Sequence, residues 1–158
     1  MKKIVIIGAN DFQNQLILKA KEMGFETHVF AWQDGSIGER TADYFYPVSI
    51  VEIDEILEKC KEIKPDAVAT IASDLANITV SKVAAGLGLP GNTPECIEIL
   101  TTKYAMRSVF LKAGIPTPAF YKVDQVQDEL YKMKLPVIVK PTDRSGSRAI
   151  TKITDFKD

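Results

Sequence analysis

The chain has 158 residues, 46% hydrophobic and 26% charged, with a formal net charge of −1. That balance supplies a core for one domain, or one domain plus part of a second, and offers no basic field to nucleic acid or an anionic membrane. No apolar run approaches the ~20 residues that span a bilayer, and the run after Met1-Lys2-Lys3 is too short for a signal-peptide core.

Lys3 to Ile7 is a short apolar run rich in Ile and Val and ended by Gly8, the pattern of a strand buried on both faces. A helix follows, with Phe12, Leu16, Ala20 and Met23 on one side and Gly24 as its stop. Thr27 to Trp32 is expected as a second strand. Asp34 to Thr41 is polar and reads as a loop, ahead of a short strand around Tyr44 to Val48. Ile53, Ile56, Leu57, Cys60 and Ile63 recur at helical spacing until Pro65. Cys60 falls on that apolar stripe, so a buried thiol is its expected role, and Cys60 and Cys96 form neither a C-x-x-C pair nor a disulfide framework. The composition suits a cytoplasmic protein.

Asp66 to Ala72 is expected as a fourth strand, followed by a helix from about Leu75 to Gly86. Strands alternating with helices across short loops imply an open parallel α/β sheet whose post-strand loops share one edge. Thr93-Pro94-Glu95 is a helix opening, with Thr as cap and Pro at the first helical position. A further helix runs from about Lys103 to Ala113, and Ile115-Pro116-Thr117-Pro118 is a stiff connector. Beyond it we expect a strand (Ala119 to Val123), a helix (Asp124 to Lys132), a strand (Pro136 to Lys140), a polar glycine loop and a strand (Arg148 to Ile153). A domain begun at Pro116 has only about 40 residues, fewer than usually fold alone, so the second domain is expected to be incomplete.

Several residues are candidates for chemistry. The first strand-to-helix loop runs Gly8-Ala9-Asn10-Asp11-Phe12-Gln13, and a dinucleotide fingerprint fails there because Asn10 and Gln13 stand where glycines are required. Gly8 still permits a tight turn, and the helix start still offers N–H groups to an anion. Asp34 sits where a dinucleotide fold puts its ribose acid, though solvated loop charge explains it as well. Ser73 and Asp74 lie on the ligand-binding sheet edge, where either could equally cap a helix. Val137-Ile138-Val139-Lys140 carries a lysine to the mouth of an apolar strand, and the donor-rich loop after it suits a flap over phosphates. Lys103 and Arg107 share one helical face. His28, the single histidine, has no assigned role, and no metal-spaced cluster, Ser/His/Asp set or basic-aromatic surface is visible.

In three segments the chain resembles the ATP-grasp superfamily, in particular its carbamoyl phosphate synthase-like and carboxylate–amine ligase branches. Ala85-Gly86-Leu87-Gly88-Leu89-Pro90-Gly91-Asn92-Thr93 is similar to the exit from the pre-ATP-grasp domain. Lys103-Tyr104-Ala105-Met106-Arg107 with Ala113 to Pro118 is similar to the helix and linker entering the ATP-grasp fold, and Pro136 to Arg148 to the nucleotide-binding lysine strand and flap. The resemblance implies a Rossmann-like parallel sheet over 1–115, the pre-ATP-grasp domain, followed by an incomplete ATP-grasp α+β subdomain over 116–158. It implies that Lys103 and Lys140 contact ATP phosphates, beneath a flap of Ser145, Gly146, Ser147 and Arg148. Gly8, Asn10, Ser73 and Asp74 are then candidate substrate contacts, and no catalytic or metal residue is assigned.

The activity implied is an ATP- and Mg2+-dependent ligase that activates a small carboxylate as an acyl phosphate for attack by an amine, of which this chain is the N-terminal part. Two departures from the family pattern are Thr102, where Asp is frequent, and Ala149, where Gly is frequent. The magnesium-holding residues of the family lie further downstream, so these residues by themselves are expected to be inactive as a ligase. The alternative is a non-catalytic module that holds a small ligand on its α/β sheet. A nicotinamide oxidoreductase is disfavoured by the failed fingerprint. Unpaired strand edges of a half-domain favour a homo-oligomer.

Overall fold

The computed structural model describes residues 1–124, 133–143, 146–147, 149–155 and 157. Two compact units divide the chain, Met1–Ile97 and Glu98–Asp158.

In the first unit β1 (Lys3–Ile7), β2 (Glu26–Phe30), β3 (Tyr44–Tyr46) and β4 (Ala67–Ala69) form a parallel sheet in the order β3-β2-β1-β4. Val5 lies in register with His28 on one side and Val68 on the other. The connections carry α1 (Asp11–Glu22), α2 (Ile37–Thr41), α3 (Ile53–Ile63) and α4 (Asp74–Leu87). Side chains of a strand alternate between faces. Val5, Ile7 and Phe30 therefore pack with Ile56, Cys60, Ile63 and Val83, while Ile4, Ile6 and Val29 pack with Ile17 and Ala20. Helices cover both faces, which is why β1 reads as an uninterrupted apolar run. Cys60 is fully buried, and that burial pushes its thiol up to about 12.

The remaining elements reach into the second unit. α5 (Pro94–Thr101) is capped by Thr93, whose Oγ1 accepts from Cys96 N at 3.2 Å, as the Thr-Pro opening predicts. α6 (Lys103–Lys112) and an antiparallel pair, β5 (Val137–Val139) and β6 (Thr151–Ile153), follow.

Three expectations are corrected. The polar stretch taken as a loop contains α2, because Glu39 Oε1 accepts the N–H groups of Asp34, Gly35 and Ser36 and holds a helix start together. The fourth strand is only Ala67–Ala69, since Ala72 turns the chain with φ +56°. Ala119 to Val123 is not a strand. Pro118 brings no N–H to a ladder, and Phe120 instead packs edge-on against Tyr104, centroids 5.6 Å apart. The helix expected over Asp124 to Lys132 lies outside the described residues except for Asp124. No helix of the described residues is long and apolar enough to cross a membrane.

At the β2–β3 edge a polar latch replaces apolar packing. Asp43 Oδ2 accepts from Thr27 N at 2.9 Å and Thr27 Oγ1 at 2.8 Å, and Asp43 Oδ1 pairs with Lys21 Nζ at 2.7 Å. The Lys21 ammonium foremost, then the Thr27 donors, hold the Asp43 carboxyl down to about 2 against the opposing effect of burial. An unfolded Asp binds its proton at higher pH, so this contribution is complete above its ordinary value of 3.8 and is lost as pH falls through about 2. Urea titrations across that window should show stability dropping with acid, and Asp43→Asn should flatten the drop. Gly38 packs against the first loop so closely that a Cβ would lie 2.6 Å from Ala9 O. Gly38→Ala should therefore cost roughly 1–3 kcal/mol in urea unfolding.

Candidate functional site

Within the first unit, the loops after the strands meet at one sheet edge and enclose a cleft of about 180 Å³. Gly8 opens it with φ +101°, a left-handed conformation that favours glycine, and donates its N–H to Phe30 O at 2.8 Å. Gln13, at the sixth fingerprint position, lies over Gly8, where a Cβ would come within 3.0 Å of Gln13 Cδ. Its Nε2 donates to Ile71 O, tying the start of α1 to the loop after β4. The fingerprint therefore fails in space as well as in sequence: the amide occupies room that a glycine would leave to a ligand.

Asn10 caps α1, its Oδ1 accepting from Phe12 N at 2.9 Å and Gln13 N at 3.4 Å. Ser73 caps α4 by accepting from Ala76 N at 3.2 Å. Gly8, Asn10 and Ser73 all line the cleft, and Asp34 lines it too. Asp74 does not; it sits exposed in the first turn of α4. The Ser36 hydroxyl and N–H both donate to Asp34 and hold its carboxyl below the usual range.

Trp32 and Glu39 escaped the sequence reading. Trp32 lines the cleft and is 69% exposed, and its signal was an aromatic at a strand exit. Glu39 was legible as the fourth member of Ser36-x-x-Glu39, a capping-box spacing. His28 also gained partners. Its Nε2 lies 2.8 Å from Glu26 Oε1, its Nδ1 3.0 Å from Tyr46 Oη, and its ring stacks on Tyr44 at 4.7 Å. Away from the strand exits and nearly buried, it serves packing.

In the second unit the main-chain N–H of Lys103 donates to Thr142 O at 2.9 Å. That bond ties the first residue of α6 to the loop two residues past Lys140, which follows β5. Lys140 is exposed and Lys103 half-buried. Arg107 is recruited elsewhere, donating from Nη1 to Thr117 Oγ1 at 3.0 Å and pinning the connector. In the segment expected as a flap, Gly146 and Ser147 have φ +71° and +56°. Ser145 and Arg148 lie outside the described residues. Ala149 has φ +52°, the left-handed region, which gives a physical reason why glycine is frequent there in the family that the chain resembles. A larger groove of about 410 Å³ runs between α6 and the connector, lined by Leu111, Phe120 and Tyr121. Ser108, Lys112 and Thr117 are its polar lining. Among the described residues no group of three or more His, Cys, Asp or Glu could hold a metal ion.

No family model matches the chain. Over 92 residues it is 34% identical to the uncharacterised protein y4rH of Sinorhizobium fredii, covering 56% of this chain and 19% of that protein. It is 24% identical to the N5-carboxyaminoimidazole ribonucleotide synthase of Aquifex aeolicus over 98% of this chain and 41% of that enzyme. The crystal structure of N5-carboxyaminoimidazole ribonucleotide synthetase from Thermotoga maritima superposes on all of this chain with a TM-score of 0.82 at 24% identity, covering 42% of that chain. The chain thus spans well under half the length of the curated relatives it matches. Its characterised relatives and structural neighbours include ATP-grasp carboxylate–amine ligases, the superfamily that the motifs resemble.

The geometry of the first loop is directly testable. Gly8→Ala meets both a left-handed backbone and the Gln13 side chain, and should lower stability by at least ~1 kcal/mol in thermal unfolding.

Proposed function

We propose that this chain is the N-terminal part of a cytoplasmic ATP-grasp ligase, and that Lys103 and Lys140 receive the phosphates of ATP. The observation that carries the reading is the Lys103 N to Thr142 O bond, which ties the Lys103 backbone to the loop that follows Lys140. Cationic groups positioned on a transferring phosphoryl supply most of the catalysis such a reaction needs, because its transition state spreads negative charge over the phosphoryl oxygens. Lys140 is exposed at the exit of β5 and needs no rearrangement to meet an anion.

The flap supports the same reading. Consecutive left-handed residues at Gly146 and Ser147 make a tight turn that can close over a ligand from the end of β5. In the whole ligase, ATP phosphorylates a small carboxylate and an amine displaces phosphate from the acyl phosphate. Magnesium, when bound, would neutralise phosphate charge. The described residues hold no cluster fitted to it, and no role assigned here depends on the ion. These 158 residues are proposed to bind nucleotide without turning it over.

Calorimetric titration of the chain with a non-hydrolysable ATP analogue should show saturable binding, weakened about tenfold or more by Lys140→Ala, the loss expected for a charge-assisted contact. Equal affinity in the variant, or no binding to the parent chain, would remove the nucleotide assignment.

A further inference from the structure

A row of ionisable side chains crosses the sheet of the first unit and is unused by the nucleotide reading. Glu26, His28 and Phe30 alternate onto the sheet face that packs against α3. Lys3 of β1 lies in register with Glu26, and Tyr44 and Tyr46 of β3 lie in register with His28 and Phe30. The side chains follow that order. Lys3 Nζ is 3.6 Å from Glu26 Oε1, which is 2.8 Å from His28 Nε2, and His28 Nδ1 is 3.0 Å from Tyr46 Oη. An imidazole only 4% exposed thus has a partner on each nitrogen. Aromatic rings hold it in place: Tyr44 stacks on His28 at 4.7 Å, and Phe30 stacks on Tyr46 at 4.5 Å.

The partners fix where the hydrogens are. The hydrogen bond from His28 foremost, and then the Lys3 charge, hold the Glu26 carboxyl below its ordinary value against the opposing effect of burial. Ionised, that carboxylate only accepts, so Nε2 carries the hydrogen and a neutral ring leaves Nδ1 bare. Burial pushes the Tyr46 hydroxyl up, so it keeps its proton and donates to Nδ1. A hydroxyl can also accept. A second proton on the ring therefore meets an acceptor already in place at Nδ1 and a carboxylate at Nε2.

We propose that His28 is a proton-operated switch between β2 and the edge strand β3, donating from Nε2 to Glu26 throughout and reversing its bond with Tyr46 when it takes up a proton. The proton comes from solvent and binds the Nδ1 lone pair. The Tyr46 O–H then turns away, Nδ1–H donates to the same oxygen, and no covalent bond breaks. Among the described residues, the ionisable groups around the ring and Tyr46 are Lys3 from β1, Glu26 from β2, Tyr44 and Tyr46 from β3, and Lys59 and Cys60 from α3. The two lysines and burial oppose charge on the ring, and Glu26 favours it. The switch sits at a junction. Tyr46 O accepts the N–H groups of Ala31 and Val48 at 3.3 and 2.8 Å, joining the end of β3 to the exit of β2.

His28 is the only histidine in the chain, so its nitrogen–proton correlations in an NMR spectrum of the full chain need no assignment. At the alkaline end of a pH titration the spectrum should show hydrogen on Nε2 and a bare Nδ1, and acid should add hydrogen to Nδ1 before the chain unfolds. Tyr46→Phe removes an acceptor that the charged ring needs more than the neutral ring needs its donor. That variant should keep the alkaline pattern and shift the Nδ1 transition toward acid by about one pH unit, a tenfold loss of proton affinity. Glu26→Gln still accepts from Nε2 but lacks the charge, so it should shift the transition the same way. Should Tyr46→Phe lose its circular dichroism, Glu26→Gln carries the test. The switch is overturned by hydrogen on Nδ1 at the alkaline end, by a parent chain that takes up no proton before acid unfolding, or by folded variants whose transitions coincide with the parent's. Neither variant touches Lys103 or Lys140, so each outcome is independent of the nucleotide reading.

Discussion

Burial of β1 on both faces is the constraint from which the first unit follows. Ile6 and Ile7 point to opposite sides of the sheet and neither is exposed to solvent. A strand in that position needs hydrogen-bonded neighbours on both edges and helices above and below. Parallel neighbours supply both, because each crossover must return the chain across a face before the next strand can start. The same geometry sends every strand exit to one edge. Gly8, Trp32, Asp34 and Ser73 come from three different loops and meet there because the sheet leaves them no other place.

The chemistry of that edge departs from the usual nucleotide fold through a few side chains. Gln13 fills the space above Gly8, and Asn10 and Glu39 consume the N–H groups that would draw an anion. Each substitution alone reads as a lost motif. Together they put acceptors on N–H groups that such an edge commonly leaves open. Lys103 and Lys140, the lysines of the proposed nucleotide site, belong to the second unit.

Among its described residues the second unit is organised more by single hydrogen bonds than by a core. α6 has no fully buried residue, and β5 and β6 form a two-stranded sheet among the described residues. A pair of strands is marginal without further packing. The bond from Lys103 N to Thr142 O and the Arg107 contact with Thr117 tie its segments together. Polar groups thus do the positioning that apolar side chains do in the first unit.

Much was legible in the sequence because it depends on local periodicity. The apolar run of β1, the stripe through Ile56 and Cys60 and the Thr93-Pro94 helix opening each carry their own signal, so element order and the parallel α/β class could be read directly. The strand expected after Pro118 could not be checked the same way, since a strand exists only if a partner accepts its bonds, and none does so among the described residues. The helix over Ile37–Thr41 was missed because it depends on one carboxylate reaching back to three N–H groups. Which polar residues share a cleft, which amide fills it, and that the Lys103 backbone bonds the Thr142 carbonyl were decided by tertiary structure alone. Residues far apart in the chain meet only after closure of the loops between them, and sequence spacing records nothing of that closure.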